Sequence, residues 1–400
     1  MDTRNQIINF MVDRSGITDE KVKEELLATY LNSDIDLQLI ADELEKYKKH
    51  KVSNKSKVYK LHKSNGTTQD INIQLLEKNK YGTSGVYHVL VDNKDKAYFK
   101  SSAIKYIDDV DLSISEISNI FHVKVAKIYR VSNEDGRSGI LSYDIKTIED
   151  ASYRSLGDVY REYYSKYKAG KVTNLKWITE LLSLPKTSKD KPLVREDYIK
   201  VVIDMGINIL KDHMNLSDKQ LKKIKKDYIN ILLFDYITNQ ADRSLDNINL
   251  VFDEDKVSFA PLYDNGNVYN EEIGVGNTCL LDYICSRQAV LKTLFKYYYD
   301  EISENIDRYR NKDEYMDRVE KVIKKNLNEK NSAWYLNLFY RNVEQVILLY
   351  KQQKELKSNK VVKEEVNLSL QYGYVKAFSL LLSMLLVLLF IVILATVIYS

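Results

Sequence analysis

Residues 232–267 read LLFDYITNQADRSLDNINLVFDEDKVSFAPLYDNGN, and this stretch decides the fold. It begins as an apolar helical run, passes through a polar turn and continues as two short strand-like pieces. If these pieces pair across the polar residues 253–256, the hairpin brings its two open ends together. The pattern therefore predicts that Asn247 and Asp264 are neighbours, with Asp242 one short loop away.

The side chains gathered by this hairpin suit phosphoryl transfer. A hydroxyl acceptor needs a carboxylate to orient it and take its proton, and the metal ions on nucleotide phosphates need hard oxygen ligands. Asp242 and Asn247 stand five positions apart, the spacing of the catalytic loop in protein kinases, and Asp264 precedes Asn-Gly at the end of the hairpin. An ordinary polar turn is the alternative interpretation of Asp242 and Asn247 alone. The hairpin and the Asp-Asn-Gly behind them favour the chemical interpretation.

The segment LLFDYITNQADRSLDNINL, followed by APLYDNG, resembles the C-terminal part of HipA-like kinases. The resemblance implies that Asp242 is the catalytic carboxylate, that Asn247 and Asp264 bind metal, and that ATP and Mg²⁺ are the cofactors. Ser244 departs from the family pattern, which usually has His there, and Gln-Ala precedes Asp242 where the family usually has Asn-Thr. The same residues also resemble phosphatidylinositol kinases, so a protein acceptor and a lipid acceptor both remain open.

Residues 58–145 predict a β-rich lobe that contains a lysine-bearing strand. Alternating apolar residues mark two strands, and a third ends at Lys100. A helix predicted at 111–121 carries Glu116. In kinases a glutamate on this helix pairs with the strand lysine beside the phosphates, and HipA-like kinases are similar in this order of elements. We therefore expect an ion pair between Lys100 and Glu116, with two unpaired surface charges as the common alternative.

Gly82 and Gly85 lie in a short loop before one of these strands. Backbone N–H groups of a glycine-bearing turn can cradle phosphates, so this loop is our candidate for nucleotide binding together with Lys100. A plain hairpin turn is an equally open interpretation.

Residues 377–399 are uncharged and almost wholly apolar. At about 1.5 Å per residue, such a helix is long enough to cross a hydrocarbon core of about 30 Å. Lysines recur through the preceding linker, 351–376, and no basic residue follows the apolar segment, so the positive-inside rule predicts that the rest of the chain faces the cytoplasm. We therefore predict a single-pass C-terminal tail anchor in a lipid bilayer.

Together these patterns predict an α+β fold of the bilobal protein-kinase type, with a small β-rich N-lobe and a helical C-lobe. The predicted parts are a small helical N-terminal segment at 1–50, the N-lobe at 58–145, the C-lobe with its catalytic loop at 146–350, the lysine-rich linker at 351–376 and the transmembrane helix at 377–399. With 44% hydrophobic residues in a length of 400, the chain can bury a large core.

A net charge of only +3 gives no reason to expect a nucleic-acid partner. The function predicted from the sequence is a membrane-anchored HipA-like kinase that transfers the γ-phosphoryl group of ATP to a Ser/Thr hydroxyl of a protein substrate. A phosphoinositide-type lipid kinase, a non-catalytic pseudokinase scaffold and a purely structural membrane adaptor are the alternatives. The identity of the substrate and the oligomeric state stay open.

Overall fold

The computed structural model describes ten segments of the chain and a few isolated helical positions before them. The segments are 56–78, 86–101, 105–134, 138–146, 151–168, 183–214, 216–253, 256–269, 273–308 and 312–358. Within them, the strands before residue 145 form a small lobe, and a larger, mainly helical lobe follows.

Six antiparallel strands of the small lobe form a closed barrel in the order β1-β2-β3-β4-β6-β5. Their bounds are β1 Lys57–His62, β2 Thr68–Lys78, β3 Val86–Val91, β4 Asp95–Lys100, β5 Ile128–Ser132 and β6 Ser138–Tyr143. Because successive side chains of a strand point to opposite faces, every second residue can enter the barrel. Ile73, Val91 and Val131 are among the apolar side chains buried there.

The β3–β4 hairpin places Lys100. Val91 pairs with Asp95 across a tight turn that contains Asp92 (φ 50°) and Asn93 (φ 57°). Asp and Asn tolerate this left-handed backbone better than most residues, which explains why the chain turns here. From this turn β4 runs to Lys100, whose side chain reaches the larger lobe.

Helix α1, Lys105–Ser118, joins β4 to the short segment before β5. Ile114 and Ile117 are fully buried on its apolar side. The helix begins before the predicted start at 111, and Asp108 in its first turn suits the positive end of the helix dipole.

The larger lobe is built from seven helices among the described residues. They are α2 Leu156–Lys168, α3 Glu196–Met214, α4 Asp218–Ile237, α5 Arg287–Tyr297, α6 Tyr299–Arg308, α7 Lys312–Asn326 and α8 at 329–358. Their apolar faces, together with buried residues of α1, form one continuous core that includes Ile203, Phe234 and Phe339.

Helix α4 carries the chain to the polar turn. Ser217 caps its start: the backbone N–H of Ser217 donates to Gln220 Oε1 (2.9 Å), and the Ser217 hydroxyl accepts from the Gln220 N–H. The helix ends at Ile237, and Asn239 follows with φ 62°, the left-handed geometry that often stops a helix. The helix spans Asp218–Ile237 and so includes the lysine-rich residues 219–226 as well as the apolar run that begins at 232.

Two small antiparallel sheets flank the turn. They are β7 Ser152–Ser155, β8 Asn249–Asp253 and β9 Lys256–Phe259 in one sheet, and β10 Asn277–Leu280 with β11 Tyr283–Ser286 in the other. Asp253 pairs with Lys256 at the closed end of β8 and β9, so the predicted hairpin is confirmed.

The predicted transmembrane helix is the part of the fold class that needs correction. No helix among the described residues is both long and apolar enough to cross a membrane. In α4, for example, the first half is rich in lysine, and the buried apolar residues among 231–237 in the second half belong to the core of the larger lobe. The predicted segment 377–399 lies outside the described residues, and the tail anchor and the membrane localisation built on it are withdrawn.

Other predicted segments also fall outside the described residues. These are the loop with Gly82 and Gly85, nearly all of the N-terminal segment 1–50, and the chain from 359 onward. Helix α8 continues to residue 358, into the predicted linker 351–376. Near its end Lys357 Nζ donates to Asp300 Oδ1 (2.6 Å) on α6, so this end of the helix packs on the larger lobe.

Candidate active site

Lys100 lies where the two lobes meet. Its Nζ is 3.1 Å from Asp111 Oδ2 on α1 and 3.1 Å from Asp264 Oδ1 on the larger lobe, and only 14% of its side chain is exposed. Burial disfavours the charged ammonium, but the two carboxylates outweigh that cost and raise the pKa of Lys100 above its ordinary value. Lys100 is therefore a fixed cation at the junction of the lobes.

Asp111 connects that cation to the backbone of the larger lobe. It is 2% exposed, and its Oδ1 accepts hydrogen bonds from the backbone N–H of Asn265 (3.0 Å) and from Asn265 Nδ2 (3.3 Å). The Asp111 carboxylate thus accepts hydrogen bonds from Lys100 on β4 and from Asn265, the residue after Asp264. These bonds connect the two lobes at this point.

The predicted ion pair between Lys100 and Glu116 is wrong. Glu116 accepts from Lys325 Nζ on α7, with both oxygens at 3.1 Å, while Asp111 takes the place beside Lys100. Asp111 and Glu116 are five positions apart on the helix, which puts them roughly 140° apart around its axis. Only one of the two carboxylates can face Lys100. Because Glu116 does not contact Lys100, the role predicted for Glu116 in nucleotide binding has no support from such a contact.

Asp264 stands on a left-handed backbone with φ 57°. This geometry costs a non-glycine residue of order 1 kcal/mol and persists only where neighbours hold it. Here the backbone carbonyl of Asp264 accepts from Gln240 Nε2 (3.0 Å), and Gln240 is fully buried. The attraction of Lys100 lowers the pKa of Asp264, so the carboxylate is ionised at neutral pH although it is partly desolvated.

Gly266 explains why Asn-Gly follows Asp264. A Cβ at this position would lie 2.3 Å from the backbone oxygen of Ile107 and 2.9 Å from its Cγ2. Backbone of the larger lobe and α1 therefore approach each other more closely than any residue with a side chain permits.

Arg243 is the centre of a buried network beneath the site. Its side chain is 3% exposed and donates to both oxygens of Asp235 (2.8 and 3.1 Å), to the carbonyl of Tyr263 (3.0 Å) and to Asn265 Oδ1 (2.7 Å). These bonds fasten the residues on both sides of Asp264 to helix α4. A buried guanidinium with this many partners is a rigid support, and removal of one partner would leave a buried charge uncompensated.

Asp242 lies in the turn between α4 and β8, beside the chain that follows Asp264. Asn267 Nδ2 donates to Asp242 Oδ2 (3.2 Å), and the backbone N–H of Ala241 donates to the carbonyl of Asn267 (3.1 Å). The predicted proximity of Asp242 to the open end of the hairpin is therefore present in the structure.

Asn247 ends the single 3₁₀ turn Leu245–Asn247 just before β8. The carbonyl of its neighbour Asp246 accepts from the hydroxyl of Tyr263 (2.5 Å), the residue that precedes Asp264. This contact joins the two ends of the hairpin, so Asn247 and Asp264 lie at the same end of it.

The donor set fits Mg²⁺ bound together with a nucleotide. Asn247 offers an amide oxygen, and Asp264 offers an ionised carboxylate whose side chain is 57% exposed. Mg²⁺ is usually held by one or two carboxylates with phosphates and water completing its shell, and not by an all-protein cage. Consistent with this, no group of three or more His, Cys, Asp or Glu side chains among the described residues could hold a metal ion alone.

Asp111 is the site residue that the sequence reasoning missed. Helical spacing relates three buried residues of α1, Val110, Ile114 and Ile117. Asp111 directly follows the first of them, and this position is the signal that places it near the buried side. The sequence patterns also give no role to Arg243, because charged residues are rarely fully buried.

Comparison with solved structures finds chains that are similar to this one, and two of them are described here. The proinflammatory kinase CtkA of Helicobacter pylori matches with a TM-score of 0.48 and 12% sequence identity, over 71% of this chain and 96% of that one. A chain from the complex of the Shewanella oneidensis MR-1 toxin–antitoxin system HipA, HipB with its operator DNA matches with a TM-score of 0.39 and 12% identity, over 88% of each chain. Neither protein-family models nor curated proteins match the sequence.

Proposed function

We propose that this protein is a kinase that transfers the γ-phosphoryl group of ATP to a Ser or Thr hydroxyl of a protein. The observation that carries the proposal is the junction of the lobes, where Lys100 contacts both Asp111 and Asp264 at 3.1 Å. A cation aligned by a buried carboxylate, next to an ionised and accessible carboxylate, is the kind of arrangement with which protein kinases position phosphates and metal.

In this proposal each residue has a distinct role. Lys100, oriented by Asp111, contacts the phosphates of ATP. Asn247 and Asp264 hold Mg²⁺, which when bound offsets negative charge on the phosphates. Asp242 orients the acceptor hydroxyl and receives its proton as the oxygen attacks phosphorus, and the leaving group is ADP.

The surrounding hydrogen bonds support this assignment because they restrict the backbone at the reacting groups. Gln240 holds the carbonyl of Asp264, and Asn267 holds the carboxylate of Asp242. Positioning of this kind is the main contribution that a protein makes to phosphoryl transfer.

The test is incubation of the full chain with γ-labelled ATP and Mg²⁺, followed by identification of the labelled amino acid. We expect label on Ser or Thr of the chain itself or of an added protein. Asp242→Asn and Asp264→Asn should each reduce transfer at least ~100-fold. Asp253→Asn, the same substitution at the far end of the hairpin, is the matched control and should leave transfer unchanged.

Two other results would redirect the assignment. Label on phosphatidylinositol vesicles, with none on protein, would replace the protein acceptor by a lipid. ATP binding without any transfer, equal in wild type and both variants, would mean that the chain is a pseudokinase scaffold.

A further inference from the structure

A concave groove lies on the side of α1 away from Lys100. It encloses about 700 Å³ between α1, the segment 119–130, the β1–β2 turn and the end of α7. Cavities of a few hundred to a thousand cubic ångströms are the size that holds small-molecule ligands. Lys100, Asp111 and Asp264 do not line this groove, so it is distinct from the candidate active site.

The lining of the groove is strongly cationic. Five of its side chains carry a positive charge and one carries a negative charge; the cations are Lys63, Lys124, Lys127, Arg130 and Lys325, and the carboxylate is Glu116. The whole chain has a net charge of only +3, so this excess is local. Charge of one sign in a concave site concentrates ligands of the opposite sign.

Two of the cations are held in place by protein partners. Arg130 NH2 is 2.6 Å from Asp109 Oδ1, and Lys325 Nζ donates to Glu116 and to the carbonyl of Ser64 (3.1 Å). The other three lysines, Lys63, Lys124 and Lys127, form no ion pair within the described part of the chain. The groove therefore combines cations held by ion pairs with lysines that form no ion pair within the described residues, although the charge of Lys124 still interacts with that of Asp227.

We propose that this groove binds a small anion that carries one or more phosphate groups. Phosphate offers several strong acceptor oxygens and close to two negative charges, which suits a guanidinium and several ammonium groups. The concave shape and limited volume fit a small ligand, whereas a nucleic acid would require an extended basic surface.

The groove is also joined directly to the strand that leads to Asp264. The backbone N–H of Leu262 donates to the carbonyl of Lys124 (2.9 Å), and the N–H of Ala126 donates to the carbonyl of Leu262 (2.8 Å). Leu262 stands two residues before Asp264. A ligand that orders residues 124–126 therefore acts on the backbone next to the candidate metal ligand.

The test is calorimetric titration of pyrophosphate into the full chain at constant ionic strength without divalent metal. We expect binding that Lys124→Gln and Lys325→Gln each weaken about 10-fold. Lys321→Gln removes the same charge from an exposed position of α7 outside the groove and should leave the affinity unchanged. Lys100→Met distinguishes the two sites, because a loss of pyrophosphate binding confined to this variant would place the ligand at the candidate active site and not in the groove.

Several results would overturn the proposal. These are the absence of binding, an equal loss of affinity in Lys321→Gln and Lys325→Gln, or a loss confined to Lys100→Met.

Prior phosphatase treatment separates two sources of the phosphate group. Higher pyrophosphate affinity after treatment would identify a phosphorylated side chain of this chain as the occupant, and unchanged affinity would identify a free ligand. Since this readout needs no phosphoryl transfer, it is independent of the proposed kinase activity.

Discussion

The two sides of helix α1 carry similar ion pairs in different surroundings. On the side of the candidate active site, Asp111 and Lys100 are 2% and 14% exposed; on the side of the groove, Glu116 and Lys325 are 19% and 42% exposed. The N–O distance is 3.1 Å in both pairs. The difference shows that distance alone does not indicate the importance of an ion pair, because solvent screens the exposed pair much more effectively.

The partners of each carboxylate differ as well. Asp111 accepts from Lys100 and from the backbone and side chain of Asn265, so its loss would leave several buried donors unsatisfied. Glu116 accepts from Lys325, whose side chain is partly exposed and whose ammonium also donates to the carbonyl of Ser64. We therefore expect one face of α1 to be intolerant of substitution and the other to be tolerant.

The largest effect should come from Asp111→Ala. It removes the acceptor of a buried backbone N–H and half of the compensation of Lys100, so the free energy of unfolding should fall by about 3 kcal/mol. Urea denaturation at neutral pH measures this change, with Glu116→Ala on the same helix as the matched control. Equal losses for the two variants would mean that burial does not distinguish the two pairs.

A smaller effect should follow from Gly266→Ala, which tests how tightly the larger lobe packs against α1. The new methyl group would lie 2.3 Å from the oxygen of Ile107, so the backbone must shift, at a cost of about 2 kcal/mol. Gly276→Ala is the control, because nothing lies within 4 Å of a Cβ there. Thermal unfolding that is equally affected in both variants would contradict the close approach of the two backbones.

The next effect concerns acid stability. Lys100 lowers the pKa of Asp264 in the folded state. The ionised carboxylate therefore stabilises the fold at pH values above 3.8, the pKa of Asp264 in the unfolded chain, and this stabilisation is lost as the pH falls through the folded pKa. Because 57% of the side chain is exposed, we expect less than about 1 kcal/mol. The free energy of unfolding, plotted against pH between neutral and acid pH, should therefore change less steeply for Asp264→Asn than for wild type. Parallel curves would show that the lowered pKa makes no contribution to stability.

The smallest effect should come from Glu116→Gln on the groove side. Exposed ion pairs contribute little, so the free energy of unfolding should change by about 0.5 kcal/mol or less, and the change should shrink further as salt is added. Urea denaturation at low and high NaCl concentration measures both. A loss as large as that of Asp111→Ala would remove the distinction between the two faces.

The hairpin and the residues at its open end could be predicted because local rules determine them. Alternation predicts β8 and β9, the polar residues predict their turn, and pairing then gathers Asp242, Asn247 and Asp264 without any long-range information. Lys100 could be predicted from its place at the end of a strand.

The partner of Lys100 could not be chosen in the same way. Asp111 and Glu116 lie on one helix, and the choice between them depends on how that helix rotates against both lobes. The predicted helix began too late, so Asp111 appeared to be a terminal residue. Arg243 presented a related difficulty, since only the folded network of Asp235, Tyr263 and Asn265 can make its burial favourable.

Closure of the six-stranded barrel also limits how other proteins can engage the small lobe. β5 pairs with β1: Lys60 lies opposite Ser132, and His62 lies opposite Arg130. No strand of this barrel therefore presents an unpaired edge along its full length. Chains that associate by adding a strand need such an edge, and its absence also protects against edge-to-edge aggregation. We therefore expect partners to recognise side chains on the loops and on the faces of the barrel instead of extending its backbone hydrogen bonds.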